Sequence, residues 1–267
     1  MLIGMRILIL SPFGATEPGA VENLQKVARS DVELEVDNLN PVFPLTYNTW
    51  HYNILKCTNG AVERIIKAEK EGYDAVVISC MLDPGLYESR SVVDIPITGT
   101  LESSTFTAAM MGRKSAILTC PSPVTQQMEI VLQKYGIRER VASVTHIGIR
   151  ADHFYPEITP PETLKERTIK VANRCIEEDG AEVIIPGCTI LGAVLTKYFD
   201  DDMKEKLPII DPMVVALKHA EMMVDLKKAG YSTISRIGYW KKQPEEEFTN
   251  LRKFFKNNKQ PEQYYQD

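Results

Sequence analysis

Short apolar, β-rich runs recur along the chain: "RILIL" (6–10), "VELEV" (32–36), "AVVIS" (75–79), "SAILT" (115–119), "VASVTHIGI" (141–149), "EVIIP" (182–186) and "LPIID" (207–211). Between them lie segments with helical spacing, such as Leu164, Thr168, Val171, Ala172, Cys175 and Ile176, which share one face at steps of three and four. Strands alternating with amphipathic helices imply βαβ units and a parallel sheet covered on both faces. Helix starts are marked where an N-cap residue precedes proline, at Ser122-Pro123 and Asp211-Pro212, and Gly72, Gly112, Gly136 and Gly180 sit where helices should stop or start.

A chain of 267 residues, 44% of them hydrophobic, is long enough for two modest cores, since a domain usually holds about 100 to 200 residues. Its formal charge is −5, with no dominant basic block before the tail, which argues against a nucleic-acid groove and for a small-molecule partner. The opening "MLIGMRILILSP" is interrupted by Arg6 and reads as a buried first strand rather than a leader. No run approaches the about 18 apolar residues of a membrane helix, so no membrane association is expected. Five cysteines at irregular spacing suggest reduced thiols in a cytoplasmic protein. From Gly238 the sequence turns charged and aromatic, reads as an appendage, and raises the expectation of a homo-oligomer.

Two segments echo each other. "AVVISCMLDPGL" and "EVIIPGCTILGAVL" each run through aliphatics to a small or rigid residue, then cysteine, then an expected helix start. Their thiols, Cys80 and Cys188, are separated by enough chain for one α/β lobe, which suggests two similar lobes facing each other. Both thiols fall at strand-to-helix junctions, where ligands gather in open parallel sheets and where helix N–H groups favour an anion. There a thiol pKa of about 8.5 can fall to roughly 3.5–7.5, giving thiolate at neutral pH. In "DPGL", Asp83 would cap the helix, Pro84 preset its first turn and Gly85 let the backbone approach. Cys57 and Cys175 lie within helical patterns and read as packing.

Two opposed thiols can invert a carbon acid without a cofactor. One, as thiolate, removes the proton beside a carbonyl, and the other returns a proton to the opposite face. Backbone N–H groups after each cysteine would hold the oxygen on which charge develops. Each acid or base contributes roughly 10²–10⁴-fold, and reacting distances of about 3–3.5 Å place the sulfurs roughly 7 Å apart, too far for a disulfide.

The doubled cysteine, "SCMLDPGL" (79–86) and "PGCTIL" (186–191) resemble the Asp/Glu/hydantoin racemase superfamily, and Cys-x-x-Asp-Pro-Gly-Leu resembles its hydantoin and allantoin racemase branch. The resemblance spans about residues 5 to 230. It implies two α/β lobes, each a parallel-type sheet flanked by helices, related by a pseudo-twofold axis with the site between them. The lobes are expected at 1–98 with 208–237 and at 99–207, followed by the appendage at 238–267. It also implies cofactor-independent inversion at C5 of a 5-substituted hydantoin, with Cys80 and Cys188 as acid/base residues and Ser79, Met81, Thr189 and Ile190 as pocket neighbours. The chain departs from the family pattern at Ser11, where Asn is usual and Phe13 adds apolar bulk, and at Thr119-Cys120, where two threonines are usual. "NLNPVFPLTYNTW" also departs from the family's usual stretch.

These departures leave the substrate open. Phe13, Phe43, Tyr47 and Trp50 read either as lining for a larger substituent or as core and interface residues. Thr119 and Cys120 read as a polar substrate edge, or Cys120 as packing. His51, His146, His153 and His219 share no metal-ligand spacing, so no metal is expected. Glu102 reads as a complement to a helix dipole, and "SPFGATEPGA" lacks a dinucleotide fingerprint. Other reactions on the same fold remain as alternatives: amino-acid racemisation, maleate-type isomerisation and malonate-type decarboxylation. A non-catalytic small-molecule binder is a further one.

Overall fold

The computed structural model describes residues 4–13, 18–39, 50–121, 123–199 and 207–257. Its first half builds a four-stranded sheet from β1 (Met5–Ser11), β2 (Val32–Asn38), β3 (Ala75–Ile78) and β4 (Ile97–Gly99), in the order β2-β1-β3-β4, with every pairing parallel. A second parallel sheet holds β5 (Ser115–Thr119), β6 (Val141–His146) and β7 (Val183–Pro186) in the order β6-β5-β7. The two sheets thus repeat one arrangement: the first strand of each lies between its second and third.

The crossovers are helical, as parallel strands require. They are α1 (Pro18–Val27), α2 (His51–Lys70), the five-residue α3 (Leu86–Arg90), α4 (Thr100–Met111), α5 (Val124–Tyr135), α6 (Pro161–Glu177) and α7 (Thr189–Tyr198). Two more helices follow, α8 (Pro212–Lys228) and α9 (Glu245–Asn257). The continuous aliphatic runs of β3, β5 and β7 are buried throughout because helices cover both faces. In β1, Leu8 and Leu10 pack with Ala61, Ile65 and Ile66 of α2, whereas Ile7 and Ile9 pack on the other face with Ala216, Leu217 and Ala220 of α8. The charged "VELEV" is an edge strand, where Glu35 pairs with Arg6 at 2.6 Å.

One expected strand needs correction, and one strand, β4, was not expected. "LPIID" forms no strand and makes one bridge, Ile209 to Ile184, in part because Pro208 has no N–H to give a ladder. β4 has only three residues, too few to show a pattern. The Asp211-Pro212 start is present: the Asp211 carboxylate accepts from Met213 N at 2.9 Å and Val214 N at 3.2 Å. For α5 the cap position is Pro123, and Ser122 lies outside the described residues.

The tail is anchored by Arg236, which donates to the carbonyls of Arg90 (2.7 Å), Val93 and Trp240 (3.0 Å) and pairs with Asp94. Trp240 meets the Tyr87 ring edge-on at 5.3 Å, while Leu251, Phe254 and Phe255 of α9 are exposed. Among the described residues, no helix is long and apolar enough to cross a membrane.

Candidate active site

Corresponding strands of the two sheets end in corresponding chemistry. β1 and β5 finish in the hydroxyl residues Ser11 and Thr119, and β3 and β7 lead into Cys80 and Cys188. All four line one cavity, which holds about 660 Å³ of empty space including its open mouth. Phe13, Ser79, Met81, Cys120, Thr189 and Ile190, also singled out from the sequence, line it as well. Ala20, Leu82, Val124, Met128, Ala151, Gly187 and Met213 complete it. Of these, Leu82 and Gly187 lie in the two cysteine motifs, and Val124 and Met213 directly follow the Ser122-Pro123 and Asp211-Pro212 helix starts; Ala20, Met128 and Ala151 carried no sequence signal. Trp50 is exposed and does not line the cavity, and Phe43 and Tyr47 lie outside the described residues.

Among the described residues, no Asp, Glu, Lys, Arg or His lines this cavity. Its polar edge consists of hydroxyls, thiols and backbone. The Ser11 hydroxyl donates to the Phe13 carbonyl at 2.9 Å, and the Thr119 hydroxyl to the Gly187 carbonyl at 2.9 Å. β5 and β7 meet so closely at this point that a Cβ on Gly187 would lie 2.6 Å from Thr119 Cβ.

The two thiols occupy unlike settings. Cys188 is the N-cap residue of α7, and the Ile190 and Leu191 N–H groups face its sulfur. Cys80, in contrast, lies in a tight turn closed by Asp83 N–H to the Cys80 carbonyl at 2.8 Å, and α3 begins only at Leu86. The expected helix N-terminus at Cys80 is therefore absent, and the Leu82 N–H alone faces its sulfur.

Thiol pKa values move opposite to the expectation. Burial raises Cys80 far above the usual thiol range, and the Asp83 carboxylate and the Cys188 thiolate add to the rise. Burial raises Cys188 too, opposed by its two N–H groups. Desolvation exceeds what a helix terminus supplies. Burial also pushes Cys120 up to about 11, reinforced by Cys188. Cys57, buried in α2 away from the cavity, likewise rises to about 11, while Cys175 packs in the second core. All five cysteines are free thiols.

Asp83 does not cap α3. Its carboxylate accepts from Leu101 N at 3.1 Å and Glu102 N at 2.8 Å, so it caps α4 from a distance in sequence. Tyr135 Oη donates to the same carboxylate at 2.8 Å. Burial pushes its pKa up to about 7, against these three donors. Glu102, outside the cavity, forms a two-pronged pair with Arg90 at 2.8 and 2.5 Å. Among the described residues no three His, Cys, Asp or Glu side chains are grouped to hold a metal.

Known proteins resemble this chain in sequence and fold. The sequence model of the Asp/Glu/hydantoin racemase family matches residues 17–220. A hydantoin racemase of Pseudomonas sp. (strain NS671) is 31% identical over 227 residues, 84% of this chain and 88% of that protein. The hydantoin racemase of Paenarthrobacter aurescens is 29% identical over 89% of this chain and 97% of its own length. In fold, the allantoin racemase from Klebsiella pneumoniae superposes with a TM-score of 0.75 at 23% identity, covering 91% of this chain and 94% of that one. The chain belongs to the Asp/Glu/hydantoin racemase family, whose members are isomerases.

Proposed function

We propose that this racemase acts on 5-substituted hydantoins without a cofactor, moving the C5 proton between Cys80 and Cys188. The observation that carries the reading is a cavity bearing two thiols from corresponding positions of two lobes and, among the described residues, no charged side chain. A hydantoin ring has no free carboxylate and suits such a site. Aspartate, glutamate, maleate or malonate would bring one or two carboxylates into a cavity whose described residues offer no cation to meet them, at a heavy desolvation cost. The methionines 81, 128 and 213, with Phe13, Leu82 and Val124, favour an apolar C5 substituent over the ureido group of allantoin. Ser11, Ser79, Thr119, Cys120 and Thr189 are assigned to the polar ring edge.

In the reaction one thiolate takes the C5 proton, and the C–H electron pair moves into an enolate whose oxygen accepts from backbone N–H groups. The opposite thiol then protonates C5 on its other face. The thiols end with exchanged protonation states, restored by exchange with solvent. Cys188, with two N–H groups and the α7 terminus, is the thiol that ionises more readily and acts as the base, and Cys80 is the proton donor. Optical rotation of an enantiopure 5-substituted hydantoin should decay to zero with the protein present. Cys80→Ser and Cys188→Ser should each slow the decay by roughly 10²–10⁴-fold. Variants with wild-type rates would remove the thiols from the mechanism, and unchanged rotation across alkyl, aryl and ureido substituents would remove the substrate class.

Residues 1–98 with 208–237, residues 99–207 and residues 238–267 are read as first lobe, second lobe and appendage. Free thiols suit the cytoplasm, and exposed Leu251, Phe254 and Phe255 suit a homo-oligomer. Thiol trapping in intact cells and sedimentation of the purified chain test these two assignments; a disulfide or a monomer would overturn them.

A further inference from the structure

The turn that presents Cys80 belongs by sequence to the first sheet, yet its next residues do not pack there. Met81 and Leu82 are buried in the core formed by β5, β7, α5 and α7. Asp83 follows at φ 44°, the single non-glycine residue with positive φ among the described residues. Such a conformation persists where the surroundings over-determine it, and here they do. The main-chain N–H of Asp83 closes the turn on the Cys80 carbonyl, while its carboxylate, 5% exposed, accepts from Leu101 N, Glu102 N and Tyr135 Oη. Gly99 leaves room for that carboxylate, since a Cβ there would lie 2.4 Å from Asp83 Cγ. Tyr135 ends α5, the helix between β5 and β6, and its ring packs on Tyr87 of α3 at 5.4 Å between centroids.

We propose that Asp83 and Tyr135 are the positioning pair of this site: their hydrogen bond ties the Cys80 turn to the lobe that carries Cys188. The inference rests on the reading of Cys80 as an acid/base residue. Neither member lines the cavity, so both act through Cys80 rather than on substrate. The ionisable groups facing Asp83 are Glu102 of α4, Tyr135 of α5, Arg90 and Tyr87 of α3, and Cys80 on its own turn. Arg90 is already engaged by Glu102, so the Asp83 charge is met chiefly by hydrogen bonds. That charge opposes ionisation of Cys80 and keeps it the proton donor.

Two variants of the full chain test the pair. Tyr135→Phe removes one hydroxyl and keeps the ring stack; kcat should fall about tenfold to a hundredfold with KM changed less than about twofold. Asp83→Asn keeps the shape and removes the charge. Alkylation of Cys80 by iodoacetamide, followed residue by residue by mass spectrometry, should then begin at lower pH than in the wild type, with the Cys188 profile unmoved. Wild-type kcat in Tyr135→Phe, or an unmoved Cys80 alkylation profile in Asp83→Asn, would overturn the proposal. Alkylation needs no substrate, so it still decides the matter if the wild type racemises no hydantoin, and if Asp83→Asn does not fold the Tyr135→Phe kinetics decide.

Discussion

At the residue scale, the site is governed by the competition between burial and hydrogen bonding for the sulfur charge. A helix terminus and two N–H groups favour the Cys188 thiolate, yet the net direction for both thiols is upward. With thiolate the minor form at neutral pH, kcat/KM should climb about tenfold per pH unit from pH 7 until Cys188 titrates. A profile flat between pH 7 and 9 would mean a thiolate already formed. Asp83 makes a separate contribution to stability. Its folded pKa of about 7 lies above the usual carboxyl value of 3.8, so the fold favours its protonated form. The stabilisation is full below about pH 4 and is lost as pH rises through about 7. Denaturant midpoints should show this decline in the wild type, and Asp83→Asn should flatten it; parallel curves would refute the assignment. Cys80 and Cys188 were legible because a cysteine just past a buried strand is a local pattern. The pKa direction was not, because it depends on how much protein closes over the sulfur. The partners of Asp83 were not legible either, since α4 begins well along the chain and Tyr135 belongs to the other lobe.

At the element scale, the buried central strands were the readable ones. β5 coincides with "SAILT", because a central parallel strand must be apolar on both faces and the run ends where the ladder ends. "LPIID" satisfied the same composition and failed on hydrogen bonding, with proline at its second position. β4 escaped notice because three residues carry no period. The cavity floor depends on a contact between elements that no single-strand pattern reveals: Gly187 against Thr119. Gly187→Ala should force β5 and β7 apart, costing about 1–3 kcal/mol by overpacking and lowering activity through displaced Cys188. A denaturant melt with an unchanged midpoint would show that the strands yield without cost.

At the scale of the whole molecule, the chain leaves the first sheet after β4, completes the second, and returns through α8 to cover the first. That route places matched strand ends from both sheets around one cavity, and the echo between residues 75–86 and 182–195 is its trace in the sequence. The chemistry claimed for the cavity is tested most directly in heavy water. An enantiopure 5-substituted hydantoin should yield its mirror image carrying deuterium at C5, while the unreacted starting enantiomer retains protium at early times, because separate thiols serve the two faces. Deuterium entering the recovered starting enantiomer as fast as the product would contradict the account, since a single group would then be working one face.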